Sequence, residues 1–231
     1  TNPLDEQLRT DGPHQAMVSA YCRFCDDLLA KAYGRANRLV KSIDPHHLTS
    51  FRMSSAGDPT RGAEWLGYDF RGLARSVDIM EPEGYGRTGE WERVKVGRFT
   101  VDYARAMAPR RPVMWAEFGY STWDRSTMEP NPRAEEWAGG FYRNFYQMVL
   151  ESEANGSVCW FWPGGFRVGE NSDYGVVNPD GTWRPVSQAI QEWSAKITAP
   201  REHRPVDEWI TFDRDAVRGG GVVGVYEALQ E

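Results

Sequence analysis

The chain has 231 residues, with 27 Lys+Arg against 33 Asp+Glu, a net charge of −6, three Cys, and ten each of Trp, Tyr and Phe. That length allows one large domain or two small ones. The acidic balance argues against a nucleic-acid binder, no apolar run approaches the roughly 18–20 residues that cross a bilayer, and three cysteines cannot build a disulfide scaffold.

A polar opening, Thr1 to Glu6, lacks a signal-like apolar core, and a start on Thr fits a trimmed N-terminus, so localisation stays open. The first clear element is a helix over residues 15–42. Its apolar stripe runs through Val18, Tyr21, Cys22, Cys25, Leu28, Leu29, Ala32, Tyr33, Ala36, Leu39, Val40 and Ile43 at helical spacing and stops before Pro45. Cys22 and Cys25 spell C-x-x-C, but both lie on the stripe, which predicts core thiols and not a redox or metal pair. An extended run at 47–53 follows. A helix near 64–75 leads to a strand at 76–80, a helix over 90–108 to a strand at 112–118, and a helix over 132–154 to a strand at 157–162. A last helix is expected over 186–196. Strands alternating with helices of this length read as βα units on a parallel sheet, apolar on both faces because both are covered. Beyond Pro200, short runs at 208–212 and 222–226 read as strands of a β-rich appendage around the flexible glycines 219–221.

Only four strands precede that tail, whereas a closed (β/α)8 barrel needs eight. The arithmetic predicts an α/β chain: about the last four βα units of a (β/α)8 TIM barrel over 1–198, then a linker and the start of a β-rich appended domain over 199–231. A smaller open sheet is the alternative.

Glu117 is the most informative residue. Strand alternation puts Val113, Trp115 and Glu117 on one face and Met114, Ala116 and Phe118 on the other. A carboxylate at the end of a buried strand is costly unless paired or used, and barrel enzymes carry their chemistry at the C-terminal strand ends. Its bland reading is a salt bridge at the rim. In the next strand Val158, Trp160 and Trp162 share a face, ending at Pro163-Gly164-Gly165. A Trp there serves either as filling or as a flat platform for a sugar ring. Asn155-Gly156-Ser157 is a glycosylation sequon in a tight turn.

The stretch from Arg110 through Pro112-Val113-Met114-Trp115-Ala116-Glu117-Phe118-Gly119 resembles the seventh strand of retaining β-glycosidases of the large (β/α)8 clan. The run 156–162 is similar to the eighth strand, 169–181 to the loop after it, and Asp78 through Tyr85 to the end of the sixth. The resemblance covers about residues 15–198. It implies that Glu117 is the nucleophile, that Tyr85 contacts it, and that Trp160 or Trp162 floors the sugar subsite. Arg52, at the end of the first strand, and Glu170, in the last loop, are further candidate substrate contacts. Many relatives carry His near Glu83, so the role of Glu83 is open. The clan's acid/base is a Glu after an Asn at the end of the fourth strand; Asp5-Glu6 does not supply it, so that group is expected upstream of residue 1. The resemblance implies a carbohydrate substrate, no metal and no organic cofactor. The alternatives are a non-catalytic carbohydrate-binding protein, and a half-barrel that needs a separate N-terminal half or a copy of itself.

Overall fold

The computed structural model describes residues 13–53, 60, 69–200, 202, 204–214 and 221–230. Helix α1 (Gln15–Ile43) stops where expected. The Asp44 carboxylate accepts the N–H groups of His46 and His47 at 3.1 Å each, which turns the chain past Pro45. Strand β1 (Ser50–Arg52) and the short helix α2 (Phe70–Leu73) follow. Residues 64–68 of the expected second helix lie outside the described residues. Strand β2 (Ile79–Glu81) leads into a tight 3₁₀ turn, Gly84–Arg87. The single helix expected over 90–108 is two pieces, α3 (Trp91–Val94) and α4 (Gly97–Met107). The break falls at Gly97, whose backbone presses so closely on Met148 and Trp115 that a Cβ would lie 2.8 Å from the Met148 sulfur. Strand β3 (Met114–Phe118) precedes an unanticipated small hairpin of β4 (Trp123–Asp124) and β5 (Glu129–Pro130). Helix α5 (Pro132–Glu151) begins with Asn131 accepting the N–H groups of Arg133 and Ala134, and Pro132 fits the first turn. Strand β6 (Gly156–Cys159), helix α6 (Pro185–Thr198) and helix α7 (Gly221–Ala228) complete the order.

Four strands form one parallel wall. Strand β1 pairs with β2 from Ser50↔Ile79 to Arg52↔Glu81. Bridges Met80↔Val113 and Glu83↔Glu117 join β2 to β3, and β3 pairs with β6. The spatial order β1-β2-β3-β6 follows chain order without reversal. Parallel crossovers are right-handed, so an unreversed order places successive helices on one face, as in a barrel wall and unlike a doubly wound sheet. Asn155 sets the register: its backbone N–H donates to the Val113 carbonyl and its side chain accepts the Val113 N–H, at 2.8 and 2.9 Å. The sequon is thus tied into the start of the sheet.

The helix-side core is aromatic. Phe118 stacks on Phe145 at 3.9 Å and 6°, and Trp115 meets the same ring edge-on at 5.4 Å. Burying rings of this size contributes about 1.5–3 kcal/mol each. Strict alternation would put Trp115 and Phe118 on opposite faces. The pairing instead shifts register between them, which brings both rings onto α5 and corrects the predicted face assignment. The expectation of a doubly covered sheet also fails among the described residues: Val158 of β6 is 51% exposed, and Ser50 and Arg52 of β1 are exposed.

Two further corrections concern the periphery. Among the described residues of α1 only Asp26 and Gly34 are buried; Cys22 and Cys25 are half-buried, while Tyr21, Phe24, Leu28, Leu39 and Ile43 are exposed. The apolar stripe therefore meets the core formed by these elements only in part: Tyr33 packs on Phe51 at 4.4 Å, while most of the stripe stays open. In the tail, 208–212 makes no strand and 222–226 lies in α7, so the described part of 199–231 is not β-rich. An isolated strand needs an edge to pair with. This tail packs side chains on helices instead: Phe212 on Tyr103, Tyr226 on Phe99, and Arg214 on Asp26 and Asp69 at 2.6 and 2.8 Å.

Candidate active site

The C-terminal ends of three adjacent strands converge. Arg52 closes β1, Glu83 follows β2, and Glu117 lies near the end of β3, across a parallel bridge from Glu83. The Tyr85 hydroxyl, held in the 3₁₀ turn, donates to Glu117 Oε1 at 2.5 Å, and Arg52 Nη1 donates to Glu117 Oε2. Each Glu117 oxygen thus has one strong donor and keeps a lone pair for a further partner. Burial, reinforced by the Glu117 hydrogen bond and charge, pushes the Tyr85 hydroxyl far above its usual range, so it stays a donor.

Glu83 differs sharply from its neighbour. It is 1% exposed, and neither of its oxygens accepts a hydrogen bond. Arg52 Nε lies 3.1 Å from Glu83 Oε1 as an ion pair, out of line for a hydrogen bond. Burial, opposed by Arg52 and assisted by the Glu117 charge, pushes the Glu83 carboxyl up to about 7.

The loop after β6 walls the site. The Trp160 backbone N–H donates to the Phe118 carbonyl at 2.7 Å, and Gly119 leaves only 2.4 Å between a built Cβ and the Trp160 carbonyl. Any side chain at Gly119 would push that loop off the strand end. The Tyr174 ring lies edge-on to Tyr85 at 6.2 Å. Trp160 and Trp162 both lie beyond β6 and not on it, which corrects the shared strand face. Arg167 stacks over Trp160 at 4.8 Å and pairs with Glu170 at 3.0 Å, and Glu170 also accepts from Ser172 at 3.2 Å. Trp162 is 66% exposed. The loop is anchored by the buried Asp173–Arg184 pair, with two hydrogen bonds at 2.7 and 3.0 Å.

The structure thus brings Arg52, Tyr85 and Glu117 into one hydrogen-bonded cluster. Trp160 adjoins it through the backbone, and Glu170 is engaged within its own loop. Sequence reasoning left Glu83 open and passed over Tyr174. The carboxylate two residues before Tyr85 was the available signal for Glu83; nothing local marks Tyr174. Among the described residues no group of three or more His, Cys, Asp or Glu is placed to hold a metal ion.

Over about three quarters of the chain the fold is similar to that of solved glycoside hydrolases. Residues covering 74% of this chain and 44% of the other superpose on GH5_18 from Streptomyces cattleya in complex with GlcNAc, at a TM-score of 0.55 and 19% identity. A variant of that protein in complex with Manβ1-4GlcNAc gives 0.58 at 18% identity, covering 76% and 44%. BpGH50 gives 0.54 at 14% identity, covering 76% and 37%. The chain spans less than half the length of these structures. No family model matches it, and no curated protein matches it in sequence.

Proposed function

We propose that this chain is the C-terminal half of the catalytic barrel of a glycoside hydrolase that cleaves β-linked sugars with retention. The observation that carries the reading is the Glu117 carboxylate at a parallel strand end, gripped by Tyr85 and Arg52. In the proposed reaction a Glu117 oxygen attacks the anomeric carbon as the glycosidic C–O bond breaks. A second carboxyl protonates the leaving oxygen, then takes a proton from the water that hydrolyses the glycosyl ester. Two held donors aim the Glu117 oxygens, and release them as the carboxylate charge passes into the ester. Trp160 and Trp162 are proposed to stack on the sugar, with Glu170 holding the loop that carries them.

The second carboxyl is proposed to lie in a segment outside these 231 residues that completes the barrel over 1–198. The half-exposed Val158, the open edge of β1 and the apolar residues Tyr21, Phe24 and Leu28 on the surface of α1 support this reading, because such surfaces are usually covered.

The test uses the full-length protein and 2-deoxy-2-fluoro β-glycosides of mannose, glucose and galactose with good leaving groups. Fluorine slows breakdown of the glycosyl ester, so peptide mapping should find the label on Glu117. A label on Glu83 or Glu170, or an inverted anomeric product, overturns the assignment. Sugar binding without label or turnover would favour the non-catalytic binding protein.

A further inference from the structure

Glu83 is a carboxyl group buried without a donor, beside a carboxylate that has two. The charged and titratable groups around it come from separate elements: Arg52 from β1, Glu117 from β3, and Tyr85 from the 3₁₀ turn after β2, with Tyr174 beside Tyr85. One guanidinium therefore faces two carboxyls, and Tyr85 brings a neutral hydroxyl. If both carboxyls ionise, the strand ends hold a net negative charge. Its less solvated member is Glu83, and an uncompensated buried charge costs several kcal/mol. Two acids sharing one site part their titrations, and the group with donors ionises first. Tyr85 and Arg52 donate to Glu117, and Glu83 is the member of the pair without a donor.

We propose that Glu83 holds its proton on the acid side of neutrality, well above the usual carboxyl range, and that neutral Glu83 is a positioning residue which leaves the Arg52 charge to Glu117. Loss of that proton sets two anions competing for one guanidinium and turns Arg52 toward Glu83. The shift of the Glu83 carboxyl to about 7 accords with this geometry. The protonation does not depend on the glycosidase reading. Its consequence for turnover rests on that reading.

Difference infrared spectroscopy of this chain, with pH stepped from 5 to 9, tests the proposal without any activity. A protonated-carboxyl carbonyl band should persist above pH 6, bleach around pH 7 and be absent in Glu83→Gln. Glu117→Gln removes the neighbouring negative charge, so the midpoint should move to lower pH. Arg52→Met removes the opposing positive charge and should move it to higher pH. A band absent above pH 6, or one retained in Glu83→Gln, overturns the proposal. So does a midpoint that Glu117→Gln leaves in place, a result that stands even if Glu83→Gln folds poorly. In the full-length enzyme, Glu83→Gln should displace the alkaline limb of kcat/KM; an unmoved limb would refute the positioning role. Fluoro-sugar labelling of Glu117 reports on the glycosidase reading separately, so the two failures are distinguishable.

Discussion

Two arginine–carboxylate clusters, some way apart in the chain, are built to opposite standards. Arg184 gives Asp173 two parallel hydrogen bonds, and Asp173 also accepts the N–H groups of Gly165 and Gly175 at 3.1 and 2.8 Å. The rest of the Arg184 fork reaches Asn178 and the Gly175 carbonyl. Arg52, by contrast, is half exposed and divided between Glu117 and Glu83, and Glu83 receives no hydrogen bond. A saturated cluster has nothing left with which to bind a substrate; it holds a loop. An unsaturated one is less stable alone and retains capacity for a reacting partner.

The same mild change should therefore act differently on the two clusters. In the full-length protein the proposed nucleophilic role predicts that Glu117→Gln lowers turnover by several orders of magnitude while the melting temperature stays near wild type, because the amide keeps the side chain's shape and one oxygen that accepts a hydrogen bond. Kinetics and calorimetry on one preparation check both halves. A collapse in stability with turnover intact would reverse the roles of the two clusters.

Arg184→Met should destabilise this chain by about 3–5 kcal/mol, because it strands the Asp173 charge in a buried site. Denaturant titration at neutral pH measures it. A loss well below 1 kcal/mol would mean that the loop is held by something else.

pH separates the clusters next. Burial opposes ionisation of Asp173, but the Arg184 hydrogen bonds and the Gly175 amide outweigh it and hold the carboxyl below its usual range. Its stabilising contribution is complete above the unfolded value near 4 and is lost as pH falls through the lower folded value. Asp173→Asn should thus flatten the acid limb of stability. Glu83 has the opposite sign, since its folded value is raised from 4.5 to about 7. The folded state holds the proton longer, so stability falls as pH rises across that window. Glu83→Gln should melt higher than wild type above pH 8, and match it more closely near pH 5. Thermal melts at the two pH values check the sign.

The smallest expected effect is at the half-buried thiols. Cys22 and Cys25 should label at an intermediate rate in the native state, faster than core thiols and slower than in denaturant. Protection as complete as a core residue's would show that the open face of α1 is covered in solution.

The sequence by itself determined the order of the four parallel strands, the stop at Asp44-Pro45, the start of α5 near Pro132 and the carboxylate at the end of β3. Those features depend on hydrophobic periodicity and on capping groups a few residues apart, so they are written locally. Tertiary structure decided the rest. The register shift between Trp115 and Phe118 arises because α5 offers one aromatic ring to both. The stripe on α1 predicts burial, but which surface lies against it depends on distant elements. The run 222–226 is strand-like by composition, yet it lies in a helix that packs Tyr226 on Phe99. The site shows the limit most plainly. Arg52 and Glu117 are 65 residues apart, and Arg214 reaches Asp26 across 188. Whether a buried carboxylate is saturated, as Asp173 is, or starved, as Glu83 is, depends on donors that only folding brings within 3 Å.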